Sequence, residues 1–167
     1  MQLQVDPRLG AQHRAQVGAA GLGELLGEAL ADLGLEGSQL NCRLAGDAAL
    51  RALNRRFAGE ARSTDVLAFP ARVGASGFRL PPGCERHLGD LVISVPAAAR
   101  QARGAGQAPA LELRLLAVHG LLHLLGHEHA GAGQAAAMSA ATRELLEAAA
   151  RRHRQPRPAV PELVPSP

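Results

Sequence analysis

Lysine, tryptophan and tyrosine are absent from this chain, and phenylalanine occurs three times, as Phe57, Phe69 and Phe78. A core in a chain of 167 residues must then be built of Leu, Ala and Val, and that length is ample for one domain. Every basic side chain other than histidine is arginine, a compositional bias that, with the Ala, Gly and Pro richness, carries no functional weight. Two cysteines, Cys42 and Cys84, are too few for a disulfide framework. No secretory signal is visible, so a reducing cytosol is the expected setting. Neither cysteine has a C-x-x-C partner, and both read as small hydrophobes rather than metal ligands. No apolar run reaches the roughly 20 residues needed to cross a bilayer. The longest, Leu111 to Gly126, contains Glu112, Arg114 and two histidines. The net charge of +3 permits a polyanionic partner without requiring one.

What is present is an alternation of short strands and amphipathic helices. Met1 to Val5 and Gln39 to Leu44 alternate as strands do. Between them, Gly18 to Leu35 carries Leu22, Leu25, Leu26, Leu30 and Leu33 at helical spacing, with Gly34 as a stop. Asp47 is placed to cap a helix with Leu50, Leu53 and Phe57 on its inner face. Val66 to Phe69 is a short strand closed by Pro70, and 71 to 87, rich in Gly and Pro, reads as a loop. Leu88 to Val95 is the clearest strand, apolar enough to be buried on both faces. Pro96 opens a helix to about Arg103, and Gly104 to Pro109 connects it to the apolar histidine helix. Gln134 to Arg152 forms a last helix with Met138, Leu145 and Leu146 turned inward. This order implies a single α/β (α+β) domain over 1–152, a small mixed sheet covered by helices. The five prolines and scattered Arg of 153–167 predict a mobile tail.

Four of the seven histidines fall between 119 and 129, in H-G-L-L-H-L-L-G-H-E-H. His119 and His123, four apart in a helix, share one face. Gly126 can take the left-handed conformation that ends the helix, which allows His129 to return to that face. Imidazoles buried beside Leu are costly unless something engages their lone pairs. Three neutral imidazoles with an open fourth position describe a catalytic zinc site, with one Zn2+ ion. His127 competes with His129 as third ligand, but it lies past Gly126 where helical register is lost, and it reads as a pocket-lining residue. The spacing H-x-x-x-H-x-x-G-x-x-H is also that of the metzincin proteases, which place a general-base Glu directly after the first His. Here that position is Gly120. Glu128 is the nearest carboxylate, suited to orienting a ligand or accepting a proton.

Taken together, H-G-L-L-H-L-L-G-H-E-H at 119–129, L-N-R-R-F-A-G-E-A-R-S-T-D-V-L-A-F-P at 53–70 and L-G-D-L-V-I-S at 88–94 resemble, in the same order, three blocks of the YbeY family of zinc-dependent endoribonucleases. The resemblance implies a mixed α/β fold with a metzincin-like zinc helix, and zinc ligands at His119, His123 and His129. It also implies a cytoplasmic enzyme that cuts single-stranded RNA in ribosomal RNA maturation and quality control, with ribosomal particles as partners. Two departures bear on catalysis: the family's Arg after the aromatic is Ala58 here, and its Pro before T-D is Ser63. Arg56 and Arg62 are the candidates to supply the missing guanidinium to a phosphate. Asp65 is placed to shape the turn before its strand or to receive a ligand N–H. Asp90 reads as mainly structural. A zinc peptidase and a non-catalytic ribosome-maturation factor are the alternatives, the first weakened by Gly120 and the second favoured by Ala58.

Overall fold

The structure, a computed structural model, describes residues 1–57, 59, 64–71, 86–128, 131–155, 158 and 160. In chain order the elements are β1 (Gln2–Val5), α1 (Ala11–Ala20), α2 (Leu22–Asp32), β2 (Gln39–Ala45), α3 (Asp47–Phe57), β3 (Val66–Pro70), β4 (His87–Ser94), α4 (Val95–Gly104), α5 (Pro109–Leu124) and α6 (Ala132–Arg152). The sheet order is β1-β2-β4-β3. β1 and β4 run parallel to β2, and β3 returns antiparallel along β4. The mixed sheet and α+β class are those expected from the sequence.

The period-2 alternation of strands sorts their side chains onto two faces. Leu40, Cys42 and Leu44 of β2 and Leu91 and Ile93 of β4 belong to the main core, and Val66 and Ala68 of β3 pack against it. Val92 and Phe69 point the other way, into a small cluster with Ala45, Leu50 and Leu53 beneath α3. On the main face the organising element is α5, which contacts α1, α2, α4, α6, β3 and β4. A helix apolar on every side must be buried on every side. Leu113, Leu121 and Leu122 are accordingly inaccessible to solvent, each such burial being worth about 1.5–3 kcal/mol.

Three sequence expectations change. The helix expected over 18–35 is α2, which starts only at Leu22; residues 18–20 end a separate helix, α1, and Gly21, whose φ of 58° places it in the left-handed region, divides the two. α1 escapes a reading by periodicity because its apolar residues form no clear stripe; among them only Val17 and Ala20 are buried. Phe57, expected inside, is 61% exposed. It meets Phe69 edge to face, centroids 5.3 Å apart, on the sheet face opposite the main core. Asp47 is the first residue of α3 rather than a cap, and its carboxylate ties that helix to α4. It accepts from Ser94 Oγ at 2.5 Å and from Arg100 Nη1 at 2.8 Å. The Arg100 contact, more than the Ser94 bond, holds Asp47 below the usual carboxylate range.

Met138, Leu145 and Leu146 are buried as expected, and Val160, beyond α6, packs against the main core. Cys42 is a buried thiol that burial pushes up to about 12. Cys84, Phe78 and most of the loop expected over 71–87 lie outside the described residues, as does most of the tail.

Glu112 is the polar residue that α5 buries most deeply: a carboxyl 7% exposed whose Oε2 accepts from Gln107 Nε2 at 2.6 Å. Burial lifts it above its ordinary value of 4.5, with the Gln107 bond pulling the other way. A raised value means that the folded state prefers the neutral acid. Its contribution to stability is therefore complete below the ordinary value and is lost as pH rises through the raised one. Glu112→Gln, neutral throughout, should flatten that decline. Urea unfolding of both proteins from acid to mildly alkaline pH checks it, and parallel stability curves would contradict the assignment.

Candidate metal centre

Both histidines of interest project from the last turns of α5. The helix terminates as a Schellman motif: Gly126, at φ 90°, donates its N–H to His123 O at 3.0 Å, and His127 donates to Leu122 O at 3.0 Å. This turn does more than stop the helix. It brings the His127 carbonyl to His123 Nδ1 at 2.9 Å, so Nδ1 carries the proton and Nε2 becomes the acceptor nitrogen. The His123 and His119 Nε2 atoms converge to 3.1 Å, the rings nearly perpendicular at 85°.

Two acceptor nitrogens at that separation repel unless a proton or a cation lies between them. Tetrahedral zinc with Zn–N bonds of about 2.0–2.1 Å requires ligand nitrogens about 3.3 Å apart. The pair therefore fits a divalent ion in both chemistry and spacing. His129, the third expected ligand, lies outside the described residues.

The histidines open into a pocket of about 680 Å³ walled by residues 64–68 and Pro70, on and just before β3, and by Gly126, His127 and Glu128. His127 and Glu128 both line it and are exposed. Asp65 lies on its rim, but its oxygens are already engaged, Oδ2 by Gln101 Nε2 at 2.6 Å and Oδ1 by Val66 N–H at 2.8 Å. It anchors the start of β3 rather than receiving a histidine N–H through either of these bonds. Arg56 stands over the Phe57 ring, 5.3 Å from its centroid, and is not among the pocket-lining residues. Arg62 and Ala58 lie outside the described residues. Asp90 accepts from Asn41 Nδ2 at 2.6 Å on the opposite sheet face. Sequence reasoning did not find the β3 wall or the Gln101 clamp. Neither leaves a sequence signal, because both depend on strand pairing.

A second group of potential ligands, Glu24, Glu28 and His153, places its ligand atoms within 4.8 Å of one another. His153 Nε2 contacts Glu28 Oε1 at 2.8 Å and Arg152 pairs with Glu28 at 3.6 Å. This is an ion-pair network joining α2 to α6, and none of its residues lines the histidine pocket.

Gly120, where a metzincin carries its general base, faces away from the pocket into the sheet. A Cβ there would stand 2.9 Å from Leu91 Cδ2 and 3.2 Å from Val66 Cγ2. Close packing of α5 on β4 and β3 thus occupies the space that a glutamate would need.

A family model described as Endoribonuclease YbeY matches residues 13–150. Among curated proteins named Endoribonuclease YbeY, one from Anaeromyxobacter sp. (strain Fw109-5) is 39% identical over 142 residues, covering 84% of this chain and 70% of its own. One from Moorella thermoacetica is 42% identical, covering 75% of this chain and 82% of its own. One from Anaeromyxobacter dehalogenans is 41% identical, and the chain spans 58% of its length. A solution structure of a Thermotoga maritima protein shares the fold, with a TM-score of 0.58, 21% identity and 92% of both chains covered.

Gly120→Glu should cost at least ~3 kcal/mol by burying an uncompensated charge and should not create peptidase activity. Chemical denaturation and a peptide-cleavage assay check this, and a stable variant that cleaves peptides would contradict it.

Proposed function

This chain belongs to the YbeY family, and from that membership we propose that it is a metal-dependent endoribonuclease acting on RNA in ribosomal RNA processing. The observation that carries the reading is the approach of His119 and His123 Nε2 to 3.1 Å at the mouth of an open pocket. His119 and His123, together with His129, are the residues that would hold one zinc ion. An ion in this donor set supplies a Lewis acid that polarises a phosphoryl oxygen.

The chain's own residues do the rest. The His127 carbonyl keeps the His123 proton on Nδ1, so the ligand nitrogen always faces the same way. Through Asp65 and Gln101, the start of β3, which walls the substrate pocket, is tied to α4. Glu128 and His127, exposed on the opposite lip, are the groups to take and return protons there. Arg62 is the better candidate than Arg56 for a phosphate-binding guanidinium, since Arg56 is engaged with Phe57. Single-stranded RNA is the substrate form and ribosomal particles are its setting, in the cytoplasm. No helix among the described residues is long and apolar enough to cross a membrane. The peptidase alternative lacks its base and, at Gly120, the room for one.

Single-turnover cleavage of a single-stranded ribosomal RNA fragment, with bound metal assayed in parallel, tests the reading. Wild type should cut and should carry zinc. His123→Ala should lose the metal and slow cleavage about 100-fold or more, in the range for removal of a charge-stabilising group. Chelator-sensitive peptide cleavage with RNA untouched would overturn it.

A further inference from the structure

β3 lies at one edge of the sheet and, among the described residues, pairs only with β4. Its other edge borders the histidine pocket, so the groups on that edge face whatever the pocket holds. Two backbone bonds determine which groups those are. Ser94 N–H donates to Asp65 O at 2.7 Å, and Ala71 N–H donates to Leu88 O at 2.9 Å. In an antiparallel ladder the residues that exchange bonds with the partner alternate with those that do not. Asp65, Leu67, Phe69 and Ala71 are therefore directed at β4, and Val66, Ala68 and Pro70 present their backbone groups outward.

These three residues differ in what they offer. The Val66 N–H is taken by Asp65 Oδ1 at 2.8 Å, and its carbonyl accepts from Thr64 Oγ at 3.1 Å. Pro70 has no N–H. Among the described residues, no hydrogen bond takes up the N–H of Ala68. An edge closed above and below in this way resists pairing with another strand. It leaves one donor, too few for an extended peptide but sufficient for a single anionic oxygen.

Resting on the endoribonuclease reading, we propose that the Ala68 backbone N–H donates to a phosphoryl oxygen of the RNA in the histidine pocket. Ala68 is thereby a catalytic residue. A backbone N–H held by a paired strand is already oriented, so it stabilises developing negative charge without reorganising. It also helps to explain how a chain with Ala58 in place of the family's arginine still supplies a donor to the phosphate.

The test removes that one hydrogen. Ala68→Pro deletes the N–H at an outward-facing edge position, as Pro70 already does two residues on. Replacing Ala68 with lactate exchanges N–H for an ester oxygen and keeps the methyl group. Zinc content and melting temperature identify preparations that are folded and loaded, and single-turnover RNA cleavage is then compared with wild type. Both variants should retain zinc and cut about 100-fold more slowly. In ¹⁵N-labelled wild-type protein loaded with zinc, a single-stranded 2′-O-methyl oligonucleotide should move the Ala68 amide resonance downfield more than those of Leu67 and Phe69. An active wild type with undiminished cleavage in the lactate protein, or an unmoved Ala68 amide, would overturn this assignment alone. A wild type inert toward RNA would overturn the endoribonuclease reading and this assignment with it.

Discussion

The bond from His123 Nδ1 to the His127 carbonyl, 2.9 Å long, is the constraint on which the centre depends. An imidazole has two nitrogens and one proton when neutral, and a metal site needs the proton kept away from the ligand atom. Here the helix C-cap does that. Gly126 accepts the left-handed turn that no β-branched or bulky residue would take comfortably, and that turn delivers the carbonyl. Helix termination and tautomer choice are a single structural event.

That end of α5 is held in place from two directions. Beneath it, the small residue at Gly120 lets the helix settle against Leu91 and Val66, which brings the histidines to the level of β3. Gly89 plays a comparable part in the sheet. At φ 138°, a Cβ there would collide with Phe69 O at 2.2 Å, so its absence lets β3 and β4 close on each other opposite Pro70. Beside the pocket, Asp65 is fixed by Gln101 and by its own strand, while Asp47, Ser94 and Arg100 bind α3 to α4. The β3 side of the pocket thus rests on regular elements, as a positioned site requires.

Much of this was legible in the sequence because strong local rules governed it. The four-residue spacing of His119 and His123, the stop at Gly126 and the apolar run of β4 each point to one outcome, and each is found. The failures have equally local causes. α1 lacks a stripe, so periodicity passed over it and began the next helix at Gly18, three residues before Gly21, where backbone conformation and not hydrophobicity makes the break. Phe57 satisfies the inner-face spacing of α3 yet is exposed, because the face that α3 covers is small and Leu50 already fills it. The outward donor of Ala68 could not be read in advance at all, since it depends on which residues of β3 pair with β4, and pairing is a property of the fold.

The most direct test of the centre is zinc X-ray absorption on the purified, zinc-loaded protein. The account predicts a low-coordinate shell of nitrogen and oxygen atoms at about 2.0–2.1 Å, with the outer-shell scattering of imidazole rings that diminishes in His119→Ala. A shell at about 2.3 Å, the distance of thiolate sulfur, or a spectrum indifferent to His119→Ala, would contradict it.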